Sequence, residues 1–160
     1  MKVYIGIDNG VSGSVGIITE TAYHLHKTPV RRVLNYTKTK QFLNRIDGVE
    51  LETLLVPYCV HDCMCYIERP MINPSRFKAT ISAIRALEAT LIVLEMLKIP
   101  YVYLDSKEWQ KSLLPSGLEG FELKVASLQV GMRLFPQLDW KKFDDGDGIL
   151  ISEYARRNRN

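Results

Sequence analysis

Four acidic residues lie at the ends of apolar segments, where burial makes a carboxylate costly unless a cation meets it. They are Asp8, Glu68, Asp144 and Asp147. The first follows the apolar residues 3–7, the second follows residues 65–67, and the last two precede residues 148–151. Three such places, far apart in sequence, predict a fold that gathers them around hard metal ions, as in metal-dependent phosphoryl transfer.

The chemistry that suits such a set is hydrolysis of a phosphodiester. Two Mg²⁺ ions about 4 Å apart overcome the repulsion between the anion and its nucleophile, one preparing a water molecule and one holding the leaving oxygen. We expect Asp8 to bridge both ions and Glu68, on an adjacent strand, to hold one. Asp144 and Asp147 are three residues apart, so at a helix start they would share one face. Asp145 would point roughly 100° away from Asp144 in that helix and is left out.

Each acid also has an ordinary interpretation when taken alone. Asp8 precedes Asn9 and Gly10, and could simply form a turn. Glu68 precedes Arg69 and could be half of a surface ion pair. The last two acids could be helix-start residues that the helix dipole favours. Their common placement at the ends of apolar elements favours the metal site.

The apolar pattern predicts a single α/β domain over residues 1–160. Strands are expected at residues 2–7, 14–19, 22–26, 64–67 and 101–104. Helices are expected at residues 37–46, 51–56, 75–97, 121–134 and 146–157, with a further short helix capped by Ser106. Hairpins come first and crossover connections later, which predicts a mixed central sheet flanked by helices.

Composition narrows the class of protein. Hydrophobic residues make up 46% of the chain, enough for a real core, and the net charge of +3 permits a polyanionic partner without requiring one. No stretch approaches the roughly 20 apolar residues of a membrane span, and no signal peptide is expected at the N-terminus. The odd number of cysteines, three, favours a reducing, cytoplasmic compartment.

Three cysteines and a histidine fall close together, at Cys59, His61, Cys63 and Cys65. They could form a zinc site, but their alternating spacing fits a strand better than a zinc knuckle. Free thiols beside a central strand are the favoured interpretation.

Three segments carry a family resemblance, in this order: residues 5–16 (IGIDNGVSGSVG), 67–70 (IERP) and 144–150 (DDGDGIL). Together they resemble the acidic motifs of RuvC-type Holliday junction resolvases, and residues 109–111 (WQK), Lys124 and residues 134–136 (LFP) resemble the phage branch of that family. The resemblance covers nearly the whole chain.

This resemblance implies an RNase H-like fold, a homodimer, and two symmetric nicks in a four-way DNA junction or other branched DNA. It implies Mg²⁺, with Mn²⁺ able to substitute, and no nucleotide cofactor. The implied location is the cytoplasm of a bacterial or phage-infected cell. Carried over by position, the metal ligands are Asp8, Glu68, Asp144 and Asp147. One departure is Gly148, where alanine is usual; another is the absence of an aromatic wedge near Met71 and Ile72, where Phe77 is the nearest ring.

Basic residues near the acids are expected to bind DNA phosphates, although each alone could be an ordinary solvated cation. They are Arg69, Arg76, Lys78, Lys107, Lys111 and Lys124. The long helix carries an apolar stripe, predicted to be core, of Ile81, Ile84, Leu91 and Leu94. Its small-residue stripe, predicted to allow a partner helix to approach, is Ala79, Ala83, Ala86 and Thr90.

Other classes share parts of this pattern. Another RNase H-like nuclease, specific for flaps, forks or RNA, would use the same carboxylates. An actin-like ATPase fragment also combines a strand, an Asp and a turn, but requires a second such domain. A DNA-binding module without catalysis would not need the intact acidic set.

Overall fold

The central sheet consists of five strands, which lie side by side in the order third, second, first, sixth and seventh of the chain. The computed structural model describes residues 1–159. The strands are β1 (Lys2–Ile7), β2 (Ser14–Ile18), β3 (Tyr23–Lys27), β4 (Val30–Leu34), β5 (Phe42–Ile46), β6 (Asp62–Glu68) and β7 (Tyr101–Leu104). The helices are α1 (Gly48–Leu55), α2 (Phe77–Met96), α3 (Ser106–Leu113), α4 (Phe121–Leu134) and α5 (Asp147–Asn158).

The sheet is mixed, as predicted. Strand β1 pairs antiparallel with β2 and parallel with β6, and β7 continues the parallel half. Strands β1 and β2 are apolar and almost wholly buried, which is typical of strands covered on both faces. Helices α1 and α2 contribute to one apolar core, and α3, α4 and α5 contribute to a second.

Helix α5 lies against the first two strands of the sheet at very short range. Residues Ile149, Leu150 and Ile151 of its first turns are completely buried. A Cβ atom added at Gly148 would lie 2.7 Å from the hydroxyl oxygen of Ser14 and 2.8 Å from its carbonyl oxygen. The glycine that departs from the family pattern is therefore needed for close packing, since no larger side chain fits without a shift.

The predicted helix over residues 37–46 is wrong. Residues Phe42–Ile46 form strand β5, which pairs antiparallel with β4 in a separate two-stranded sheet. The spacing of Phe42, Leu43 and Ile46 is compatible with either period over so short a stretch. Residues 42–46 form a strand because residues 30–34 pair with them. No secondary structure had been predicted for residues 30–34.

The two faces of α2 are partly exchanged relative to the prediction. Leu94 is fully buried as expected, but Ile81 and Ile84 are 42% and 41% exposed. Ala86 and Thr90, assigned to a partner contact, are each only 2% exposed. The inner half of the small-residue stripe, Ala86 and Thr90, is therefore buried within the subunit, whereas Ala79 at its outer end is exposed and the two isoleucines are only partly covered.

Two smaller predictions can be compared with the structure. Ser106 is the first residue of α3 and not its cap; Asp105 holds the N-cap position, without a side-chain capping bond.

Cys63 and Cys65 are buried free thiols on β6, as expected, and Cys59 is a partly buried free thiol. Burial raises the pKa of the Cys63 and Cys65 thiols, which favours their protonated form. No helix within residues 1–159 is long and apolar enough to cross a membrane.

Candidate metal centre

Asp8 and Glu68 lie at the same edge of the sheet because their strands are parallel neighbours. The last registered pair of β1 and β6 is Ile7 with Ile67. Asp8 directly follows β1, and Glu68 is the last residue of β6. Parallel strands present their carboxyl ends together, so two acids distant in sequence become neighbours. The predicted placement of both acids on adjacent central strands is therefore seen in the fold.

Asp145 forms a compact cluster with Asp8 and Asp147. One carboxylate oxygen from each of Asp8, Asp145 and Asp147 lies within 4.8 Å of the others. Asp144 is exposed and lies outside this group. The argument from helical spacing was wrong because α5 begins only at Asp147. Before that residue the chain is extended or bent, so Asp144 and Asp147 do not share a helical face.

Two serines fix the start of α5 beside the sheet. The Ser127 hydroxyl, from α4, accepts a hydrogen bond from the Gly146 amide at 3.0 Å and lies in short hydrogen-bond contact with the Asp147 carboxylate. The Ser14 hydroxyl accepts from the Gly148 amide at 3.0 Å. The Asp147 amide also donates to the Asp145 carboxylate at 3.3 Å. These bonds orient Asp145 and Asp147 toward Asp8.

Glu68 is held by a residue that the sequence reading did not assign to the site. The indole N–H of Trp109 donates to the Glu68 carboxylate at 2.7 Å. Trp109 lies on α3 and is fully buried, so its donor has a fixed direction. The signal available from sequence was a single tryptophan in a mostly polar helix, which points to burial but does not name a partner.

Burial and the neighbouring charges together disfavour the ionised forms of these carboxylates. Burial, followed by the charges of Asp147, Glu68 and Asp145, raises the pKa of Asp8 well above its ordinary value. Burial and the charge of Asp145 raise the pKa of Asp147 to about 7, despite the bond from Ser127. Burial also raises the pKa of Glu68, against the lowering effect of the Trp109 bond.

This donor set fits divalent cations. It consists of oxygen atoms only, which Mg²⁺ and Mn²⁺ prefer. A bound cation would relieve the repulsion between these carboxylates. The nearby Lys124 lowers the pKa of Asp8 and Asp147, but both pKa values stay raised because burial and the other acids outweigh it. Asp8, Asp145 and Asp147 would hold the ions, with Glu68 beside them.

The predicted DNA-binding cations lie on several elements of the fold. Lys124 is exposed on α4, one helical turn from Ser127, and is close enough to act on the carboxylates. Lys107 and Lys111 are exposed on α3, to either side of the buried Trp109. Arg69 is already engaged, since its guanidinium pairs with Asp105 at 2.9 Å and lies over the Tyr103 ring.

Arg76 and Lys78 are exposed at the start of α2. Met71 and Ile72 are exposed in the segment that follows the second acid, as is Phe77. The prediction that all six cations bind phosphate stays a prediction.

The order of strands and the acidic edge define an RNase H-like fold. Among solved structures, a Thermus thermophilus RuvC in complex with a Holliday junction substrate matches with a TM-score of 0.64 at 11% sequence identity. The match covers 99% of this chain and 97% of that one. A second Thermus thermophilus RuvC structure matches with a TM-score of 0.58 at 15% identity, over 97% and 96% of the two chains.

The structural likeness to RuvC extends over nearly the whole chain, which agrees with the resemblance seen in its acidic motifs. At these identities the likeness establishes the fold. No family model matches the sequence, and no curated protein matches it.

Proposed function

We propose that this protein is a metal-dependent endonuclease that nicks four-way and other branched DNA. The observation that carries the proposal is the convergence of Asp8, Asp145 and Asp147, with Glu68 alongside, at one edge of a RuvC-like sheet. The RuvC neighbour is in complex with a Holliday junction substrate, and this chain has an acidic centre in the corresponding fold. Mg²⁺ is the proposed cofactor, and Mn²⁺ is expected to substitute for it.

The chain's own residues have distinct tasks in this proposal. Bound divalent ions would activate water and stabilise the leaving oxygen. Asp8 lies centrally, because β1 is flanked by β6 on one side and contacts α5 on its face. Ser127 orients Asp147, and Trp109 orients Glu68. Lys124 and the exposed lysines of α3 would hold the phosphate backbone near the carboxylates.

A cleavage assay with matched substrates tests this function. Synthetic four-way junctions, forks and RNA–DNA hybrids are incubated with the protein in Mg²⁺. We expect nicking of the junction, and binding without nicking by Asp8→Asn and Asp145→Asn. Asp144→Asn is the matched control and should nick normally, since Asp144 is exposed outside the cluster. Robust nicking by Asp8→Asn would remove the metal-site assignment, and cleavage of forks or hybrids alone would indicate a different nuclease.

We also propose that the active form is a homodimer, because a four-way junction presents two equivalent strands that need two active sites. The exposed Ile84 on α2 would supply an apolar contact for a second copy. Two of the four residues in the small-residue stripe, Ala86 and Thr90, are buried within the subunit and would not take part in this contact.

A further inference from the structure

The hairpin of β4 and β5 has an unusual charge. Residues 30–46 contain five cationic side chains and no acidic one, so the segment has a larger positive charge than the net +3 of the whole chain. The cations are Arg31, Arg32, Lys38, Lys40 and Arg45. None of them forms an ion pair with an acid among residues 1–159.

The strand pairing places two of these cations directly opposite each other. Arg31 and Arg45 are register partners across β4 and β5, and both are exposed. Like charges at such positions destabilise a hairpin, and a two-stranded sheet has little stability to spare. An external polyanion would relieve this repulsion.

A groove of about 640 Å³ separates this hairpin from α2. Three aromatic rings line it and are largely exposed: Tyr36 at 88%, Phe42 at 59% and Phe77 at 69%. Its charged lining consists of the cations Arg45, Lys78 and Arg85 and a single acid, Glu88. Exposed rings interleaved with cations are the combination that binds unpaired nucleic acid, because bases stack on rings while phosphates meet cations.

The groove is connected to the acidic centre through the loop that follows Asp8. Val11, three residues after Asp8, is part of its lining. The Asn9 side-chain amide donates to the Ala83 carbonyl of α2 at 3.1 Å, which fixes the loop after Asp8 against the helix that forms one wall of the groove. The loop that follows Asp8 therefore forms part of the groove wall.

We infer that the groove between the β4–β5 hairpin and α2 binds an unpaired DNA strand adjoining the cleavage site. The inference rests on the proposed nuclease function. A duplex hides the faces of its bases, so it would leave the three rings against hydrated phosphates. A second copy of the chain, placed symmetrically with hairpin facing hairpin, would bring the two cationic segments together without an acid between them.

Fluorescence anisotropy without divalent metal tests the inference. The probes are a labelled single strand of about a dozen nucleotides, which suits the usual site sizes of such grooves, the same strand with abasic positions, and a duplex. We expect the single strand to bind more tightly than the abasic strand. Tyr36→Ala and Phe77→Ala should each weaken binding of the single strand about tenfold and leave the abasic strand unaffected.

The charge contribution is tested separately. Arg31→Ala combined with Arg45→Ala should weaken binding of both strands and lower the salt dependence by about two counterions. This double variant removes a repulsion, so its fold should survive. Lys2→Ala is the control, because Lys2 begins β1 at the strand end opposite Asp8. Equal binding of normal and abasic strands, or wild-type binding by the ring variants, overturns the inference.

Junction nicking in Mg²⁺, measured on the same proteins, separates the two proposals. Nicking that persists while the ring variants bind strands normally overturns the groove assignment alone. Strand binding in the groove without nicking of any branched DNA overturns the proposed function alone. Loss of self-association in the ring variants, with unchanged strand binding, would assign the groove to a second copy and overturn the inference.

Discussion

At the scale of single residues, the candidate centre is defined by carboxylates that repel one another in the absence of a cation. Asp8 and Asp147 are both buried enough that their pKa values rise. The Ser127 hydroxyl lowers the pKa of Asp147 against this effect, and the Trp109 indole does the same for the neighbouring Glu68. Two measurable consequences follow, one for stability and one for metal affinity.

The first concerns the pH dependence of stability without metal. The pKa of Asp147 rises from 3.8 to about 7 on folding, so the folded state holds this proton more tightly than the unfolded state. Its stabilising contribution is complete below the unfolded pKa and is lost as pH rises through about 7. Asp147→Asn should therefore raise the free energy of unfolding at about pH 8 by up to about 4 kcal/mol, with a smaller gain at about pH 5.

Urea denaturation in EDTA at the two pH values measures this difference. Asp144→Asn removes a nearby but exposed carboxylate and should change stability little at either pH. A gain for Asp147→Asn that does not grow with pH would contradict the assigned burial and repulsion.

The second consequence concerns Trp109. Trp109→Phe keeps an aromatic ring but removes the donor that orients Glu68. Loss of a bond that orients a carboxylate beside a metal site typically lowers metal affinity by about 10- to 100-fold. Calorimetric titration with Mn²⁺ should show a loss in this range. Trp140→Phe is the matched control, since its indole donates to the Phe135 carbonyl at 3.0 Å and not to a carboxylate; an equal loss there would indicate a general effect on the fold.

At the scale of elements, the centre depends on how closely α5 approaches β1 and β2. Gly6, Gly16 and Gly148 all leave no room for a Cβ atom at this contact. The absence of side chains brings the start of α5, and with it Asp145 and Asp147, up to the strand that ends before Asp8. A glycine that weakens a helix by about 1 kcal/mol relative to alanine is retained here for packing.

Gly148→Ala should therefore destabilise the protein, by about 1–3 kcal/mol, although alanine favours helix formation. The new methyl group would meet the backbone and hydroxyl of Ser14 at under 3 Å. Gly48→Ala, at the first residue of α1, is the control because its nearest neighbour would be a Val93 methyl group at 3.7 Å. Thermal denaturation compares them, and a stabilised Gly148→Ala variant would contradict the close contact.

The β4–β5 hairpin is a case in which hydrophobic spacing alone predicted the wrong element. Residues 37–46 have spacing that a helix can satisfy, yet Phe42–Ile46 forms a strand. The partner strand lies upstream at Val30–Leu34, and only their pairing distinguishes the two outcomes. This error concealed the most basic segment of the chain, because its cations became neighbours only in the hairpin.

At the scale of the whole molecule, the proposed homodimer has a direct test. Light scattering at micromolar concentration should give twice the subunit mass for the wild type. Ile84→Glu should shift this mass toward the monomer, because it places a charge on the apolar contact. Met132→Glu is the matched control, since Met132 is similarly exposed, at 47%, but on α4. A monomeric wild-type protein would remove the dimer proposal.

The sequence by itself determined the mixed sheet, three of the four residues at the acidic edge, and the resemblance to RuvC. These depend on local patterns: apolar runs that must be buried, and acids placed where those runs end. The tertiary structure alone brought Asp145, and not Asp144, beside Asp8 and Asp147. It also decided between helix and hairpin at residues 37–46, and which face of α2 is buried. Each of these depends on contacts with a distant segment, whose free energy exceeds the small local preferences that a sequence displays.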